Sequence, residues 1–213
     1  MSSLLSSLVA ALLLVNLIAL GTSRIATVVR AVGFQGVLLG LLAVAAHGAL
    51  SGRVVALALA SILLKGWLIP VILFRALRQV AIKREVEPSL GLLPSLILGA
   101  FATALAVVAG NRLPLAETRL APLLIPASLA TVAAGFIVIT TRRKAISQVL
   151  GYVLIENGIF IFGLLLLEAM PFLVEAGVLL DLFVGIFVLS IIIHHINREF
   201  ASLDTRRLSL LKE

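Results

Sequence analysis

The chain has 213 residues, 62% of them hydrophobic, and a mean hydropathy of +1.22; a water-soluble domain is only about half apolar, so this composition describes an integral membrane protein. Cysteine is absent, which excludes disulfides, thiolate catalysis, iron–sulfur ligation and Cys-containing zinc sites. The net charge of +7 sits in short clusters between apolar runs, where membrane insertion and anionic lipid use it, so the chain is read as a partner of the bilayer and not of nucleic acid.

About 20 consecutive apolar residues are needed to cross a bilayer core, and seven such runs follow one another: 3–22, 28–50, 53–74, 89–109, 120–140, 145–167 and 172–194. The first has no basic residues before it and no cleavage pattern after it, and it reads as a retained helix. The predicted fold is all-α, a polytopic bundle of seven transmembrane helices. Basic residues test the count, because cytoplasmic loops carry the excess of Lys and Arg. With the N-terminus outside, the inner side receives Arg24, Arg30, Arg75, Arg78, Lys83, Arg84, Arg142, Arg143, Lys144, Arg198, Arg206, Arg207 and Lys212. The outer side receives only Arg53, Arg112 and Arg119. The expectation is therefore an N-terminus outside, a C-terminus in the cytoplasm and a multi-pass place in the inner membrane. The tail after the last run, residues 198–213, mixes both charge signs with leucines and reads as a short amphipathic helix at the cytoplasmic surface.

Asn16 and Gln35 are lone polar residues in the first two runs, expected to bond across helices. His47 falls at the outer end of the second run and reads as interfacial. The third run contains Lys65. An ionised side chain at mid-membrane costs about 3 kcal/mol on insertion scales, and such residues mark function unless they are paired. Pro70 lacks an N–H and leaves the Gly66 carbonyl without its α-helical partner, so a kink or broken turn is expected beside Lys65. The plainer alternative is a packing kink next to a structural ion-pair partner. Trp67 lies too deep for the aromatic belt and is expected to pack beside the kink.

The sixth run carries Glu156, followed by Asn157 and flanked at i−4 and i+4 by Tyr152 and Phe160. In the seventh, Gly177, Asp181 and Gly185 are four apart, so a glycine lies one turn above and below the carboxylate and lets another helix approach. At 1.5 Å per residue Lys65, Glu156 and Asp181 each lie roughly 14–17 Å from the membrane surface. They converge on one layer, the arrangement that a proton relay requires. The alternative for Glu156 is a carboxyl held neutral by burial that only bonds a neighbour. His194 and His195 close the last run at the inner surface, where protons could enter. None of the three histidines has metal-ligand spacing, so neither a metal site nor any other cofactor is expected.

From Thr140 onward the order is a basic cluster, then Gly151-Tyr152-Val153-Leu154-Ile155-Glu156-Asn157, an outer hairpin with Glu168 and Glu175, and Asp181-Leu182-Phe183-Val184-Gly185 before a basic end. This order resembles the small three-helix, 4L-type membrane subunit of respiratory complex I and its relatives in cation/proton antiporters. With four more helices in front, the whole length resembles hydrogenase-4 component E of formate hydrogenlyase and other group 4 membrane-bound hydrogenases. The resemblance implies residues 1–139 as an N-terminal region of four extra helices plus most of the fifth, and 140–197 as the end of helix 5 with helices 6 and 7. That second region completes a 4L-like unit begun at 120. It also implies a non-catalytic subunit of an oxidoreductase complex, with antiporter-like and quinone- or hydrogenase-module subunits as partners, that moves protons or sodium ions. The family's third-helix acid, with glycine four residues later, falls on Asp181 and Gly185. Its second-helix acid stands two residues after a glycine, a place held here by Val153; Glu156, three residues on, keeps roughly the same helix face. An antiporter subunit without a redox partner and a structural scaffold are the alternatives.

Overall fold

The computed structural model describes residues 2–47, 51–79, 89–110, 112, 120–166 and 177. Apart from short connections such as 22–24, 89–91 and 142–144, these residues are helical, with no strand among them. Helix α1 is Ser2–Gly21 and α2 Ile25–His47. A third rod follows, built from α3 (Gly52–Ala60), a π-helical segment (Ser61–Leu68) and α4 (Ile69–Gln79). Then come α5 (Leu92–Gly110), α6 (Ala121–Thr141) and α7 (Ala145–Leu166). Counting the third rod once, six helices among the described residues are long and apolar enough to span a membrane. They coincide with the first six expected runs to within a few residues; the seventh run, 172–194, lies outside the described residues apart from Gly177.

Hydrocarbon cannot hydrogen-bond a peptide group, so an apolar run of this length satisfies its backbone only as a helix. Caps matter less here, although the Ser51 side chain does accept from the Val54 amide at the start of α3. Helix association in lipid depends on close packing, for which small residues are the means. The α6–α7 pair shows it: a methyl on Gly135 would fall 2.6 Å from the Gly151 carbonyl oxygen, and one on Gly151 would fall 2.9 Å from the Gly135 oxygen. No side chain larger than hydrogen fits between these backbones. Helices α1, α2, α6 and α7 form the centre, while α5 packs on α1 and α6 and turns Leu93, Ile97, Phe101, Leu105 and Val108 outward.

The ends alternate as the basic clusters require. The Arg142 Nη2 donates to the Leu20 carbonyl at 2.8 Å, and the Ser89 amide donates to the Thr141 carbonyl at 2.8 Å. Arg30 lies 6.0 Å from the centroid of the Phe74 ring. The C-terminal ends of α1, α4 and α6 and the beginnings of α2, α5 and α7 thus share one side of the bundle, the side of the basic residues assigned inward.

Candidate functional site

The site begins with a departure from the α-helix in the third rod. The Ile69 amide donates to the Leu64 carbonyl, five residues back, and the wider π register runs from Ser61 to Leu68 with Lys65 in its middle. Pro70 follows directly. π segments are rare and concentrate at functional sites, and here one turns a lysine inward: Lys65 is only 5% exposed in a rod whose neighbouring Leu63 and Trp67 are 56% and 63% exposed. The expected disturbance beside Pro70 is present as this π segment. Trp67 is not the packing residue expected of it; it points away from the described bundle.

Helix α2 makes room for the lysine. A methyl on Gly36 would lie 2.5 Å from the Lys65 carbonyl carbon, so the two backbones touch. The Ser61 hydroxyl donates to the Gly36 carbonyl at 2.9 Å and fixes the approach. From this contact the Lys65 side chain reaches α7, where its Nζ stands 5.6 Å from the centroid of the Phe160 ring. The negative face of an aromatic ring attracts a cation, by about 2 kcal/mol or more when both are desolvated. Glu156, 3% exposed, stands four residues before Phe160, one helical turn away on the same face. Lys65 and Glu156, expected to share a layer, are thus both buried against one face of α7.

A second set of polar side chains fills the centre of the bundle beside them. The Asn157 Nδ2 donates to the Gln35 Oε1 at 3.0 Å, the Gln35 Nε2 to the Asn16 Oδ1 at 3.0 Å, and the Asn16 Nδ2 to the Thr131 Oγ1 at 2.9 Å. The Thr131 hydroxyl ends the series by donating to the Ala127 carbonyl at 2.7 Å. One residue from each of α7, α2, α1 and α6 contributes, and each is at most 2% exposed. The bonding role expected of Asn16 and Gln35 is met. Sequence alone did not link them to Asn157 and Thr131, because the rotation and register of four helices decide which polar groups meet. The only signal was that Asn157 adjoins Glu156.

Arg142 was also missed. It counts among the inward basic residues, yet it is 4% exposed, its guanidinium bonded to the last turn of α1. A cation there complements the negative end of the α1 dipole. Of the other expected site residues, Asp181, Gly185, His194 and His195 lie outside the described residues, and a methyl on Gly177 meets no described atom within 4 Å. No group of three or more His, Cys, Asp or Glu side chains occurs among the described residues.

The apolar helices, with buried ionisable and amide side chains at their centre, define a multi-pass membrane protein. Parts of the chain are similar in sequence to known proteins. Over 160 residues, 75% of this chain and 73% of the other, it is 29% identical to the uncharacterized protein Rv0085 of Mycobacterium tuberculosis. Over 106 residues it is 35% identical to hydrogenase-4 component E of Escherichia coli, strain K12, and equally to that of Shigella flexneri. That similarity covers 50% of this chain and 48% of those relatives, so it spans about half the length of each. No protein-family model and no solved structure matches the chain.

Proposed function

We propose that this chain is a membrane-arm subunit of a multi-subunit, energy-converting complex of the hydrogenase-4 or complex I kind. In it Glu156, Asp181 and Lys65 carry protons or sodium ions through the bilayer. The observation that supports this reading most strongly is the burial of Lys65 and Glu156 against the same face of α7. Two ionisable groups in an oily interior are costly, and a layer of them is useful where ions pass. The similarity to hydrogenase-4 component E favours a complex that couples this passage to electron transfer in other subunits.

In this reading the chain crosses the cytoplasmic membrane seven times, with its N-terminus outside and its C-terminus inside. Residues 120–197 act as the 4L-like unit, residues 1–119 pack beside it, and 198–213 lie on the cytoplasmic surface. His194 and His195 admit protons from that side, and Gly177 and Gly185 bring Asp181 against a neighbouring helix. The chain carries no cofactor of its own; redox centres belong to its partners.

A structural scaffold is the second reading, favoured by the bonded amide series that ties four helices together. An antiporter subunit without a redox partner is the third. Tagged full-length protein purified from its native membrane in mild detergent separates them by composition. A co-purifying subunit that holds a nickel–iron or quinone-reducing centre is expected; a stoichiometric assembly of transporter subunits alone would overturn the energy-converting reading.

A further inference from the structure

The bonded series Asn157–Gln35–Asn16–Thr131 has a direction. The Thr131 hydroxyl donates to the Ala127 carbonyl, so its oxygen must accept from Asn16, and this fixes which way each amide faces. The Asn16 nitrogen points to Thr131, its oxygen receives Gln35, and the Gln35 oxygen receives Asn157. At the far end the Asn157 Oδ1 is fully buried and accepts no hydrogen bond among the described residues. A buried acceptor in that state calls for a proton donor.

The same heavy atoms support a second direction. A primary amide presents an acceptor and two donors from positions that exchange on a half-turn of the terminal group. If all three amides turn, the Thr131 hydroxyl donates to Asn16, the Asn16 nitrogen to Gln35, and the Gln35 nitrogen to Asn157. Each contact of 2.9–3.0 Å is retained. The change is confined to the two ends: Thr131 releases the Ala127 carbonyl, and Asn157 shows N–H where it showed oxygen. Which direction is lower in energy is then set by what faces Asn157.

We propose that Asn157, Gln35, Asn16 and Thr131 form a two-direction hydrogen-bond relay that accepts a proton donor at Asn157 in one state and offers N–H to an acceptor there in the other. What drives it rests on the reading of Lys65 and Glu156 as an ion-carrying layer. Asn157 adjoins Glu156 in α7, and its contact Gln35 adjoins Gly36, whose backbone lies against Lys65. In the described parts of the elements packed around α7, the charged groups are few. Helix α1 has none and α6 has only Arg142 just beyond its end, while α2 has Arg30 and His47 away from its middle. The third rod has Arg53, Lys65, Arg75 and Arg78, and α7 itself adds Glu156 and the phenol of Tyr152. A change of protonation in the Lys65–Glu156 layer exchanges donors for acceptors beside Asn157, and the relay reports it across the bundle at Thr131. The relay turns groups; it transfers no proton along the amides.

The chain contains four asparagines, Asn16, Asn111, Asn157 and Asn197, few enough for residue-resolved solid-state NMR of asparagine-labelled full-length protein in lipid. Spectra are compared at the lowest and highest pH at which the protein stays folded. The Asn157 and Asn16 side-chain amide resonances are expected to shift together. In Gln35→Met the Asn157 shift should persist and the Asn16 shift disappear, whereas Thr131→Ser should keep both. An Asn16 amide unmoved by pH in the unaltered protein, or one that moves equally in Gln35→Met, overturns the relay. Should Gln35→Met not fold, Asn157→Met serves in its place, with the Asn16 shift lost. The readout involves no transport, so an intact relay in a protein whose Glu156→Gln variant still translocates would refute the ion-carrying role alone.

Discussion

Gly36 and Lys65 meet backbone to backbone: a methyl on Gly36 would lie 2.5 Å from the Lys65 carbonyl carbon and 2.6 Å from the Gly66 nitrogen. Neither atom can rotate away as a side-chain tip could. Gly36→Ala must therefore push α2 off the π segment, at a cost of about 1–3 kcal/mol for overpacking. Gly163 in α7 has no described atom within 4 Å of the same added methyl, so Gly163→Ala should stay within about 0.5 kcal/mol of the parent. Thermal unfolding of the two variants in detergent checks the contrast; equal melting points would refute the close approach.

The Lys65–Phe160 contact predicts an energetic coupling between the third rod and α7. At 5.6 Å from the ring centroid, in a buried setting, the cation–π attraction is worth about 2 kcal/mol. A double-mutant cycle of Lys65→Met and Phe160→Leu should return a coupling of that size, because each change removes the same interaction. Strictly additive destabilisation would show that the ring does not hold the ammonium.

Gln35 joins two bonds, and its removal strands a partner on each side. Gln35→Leu leaves the Asn16 oxygen and the Asn157 nitrogen without their partner, and each buried orphan costs about 1–3 kcal/mol. Replacing Gln35 and Asn157 together strands one group fewer. The double variant should therefore be no less stable than Gln35→Leu alone, a non-additivity visible in denaturation midpoints.

Much of the fold is written in hydropathy: six of the seven apolar runs appear as helices long and apolar enough to span a membrane, and among the described residues Arg24, Arg75, Arg78, Arg142 and Arg143 lie at the ends where alternation puts them. Long apolar runs leave the chain no choice but helix, and that choice is local. The site is only half local. Lys65, Glu156, Asn16 and Gln35 stand out because a polar residue in an apolar run is conspicuous. Thr131 and Ser61 do not, since a hydroxyl can bond its own helix and cross a membrane unnoticed, and their partners depend on helix rotation. The charge of Arg142 places it in the inner cluster, but its burial is set by a carbonyl 122 residues away in sequence. Depth alone suggests a packing role for Trp67, whereas the π register turns Lys65 inward and leaves the indole exposed.

Arg142 yields a prediction of its own. Its guanidinium holds the Leu20 carbonyl from a buried position, while Arg143 touches the Ser89 hydroxyl at 3.3 Å in an exposed one. Arg142→Ala should destabilise by about 2 kcal/mol through the lost charged hydrogen bond. Arg143→Ala should stay within about 0.5 kcal/mol. Similar losses in the two variants would argue against the buried anchor.

The proposed ion-carrying role of the buried layer is tested most directly by the number of ions moved per electron pair in vesicles containing the assembly that the proposal calls for, comparing the parent with Glu156→Gln. Glutamine keeps the volume of the carboxyl and can still hydrogen-bond, but it cannot exchange a proton. The expected result is an assembled complex that still reduces artificial acceptors and translocates at a fraction of the parent ratio, with Glu156→Asp partly restored. An unchanged ratio in Glu156→Gln would contradict the account.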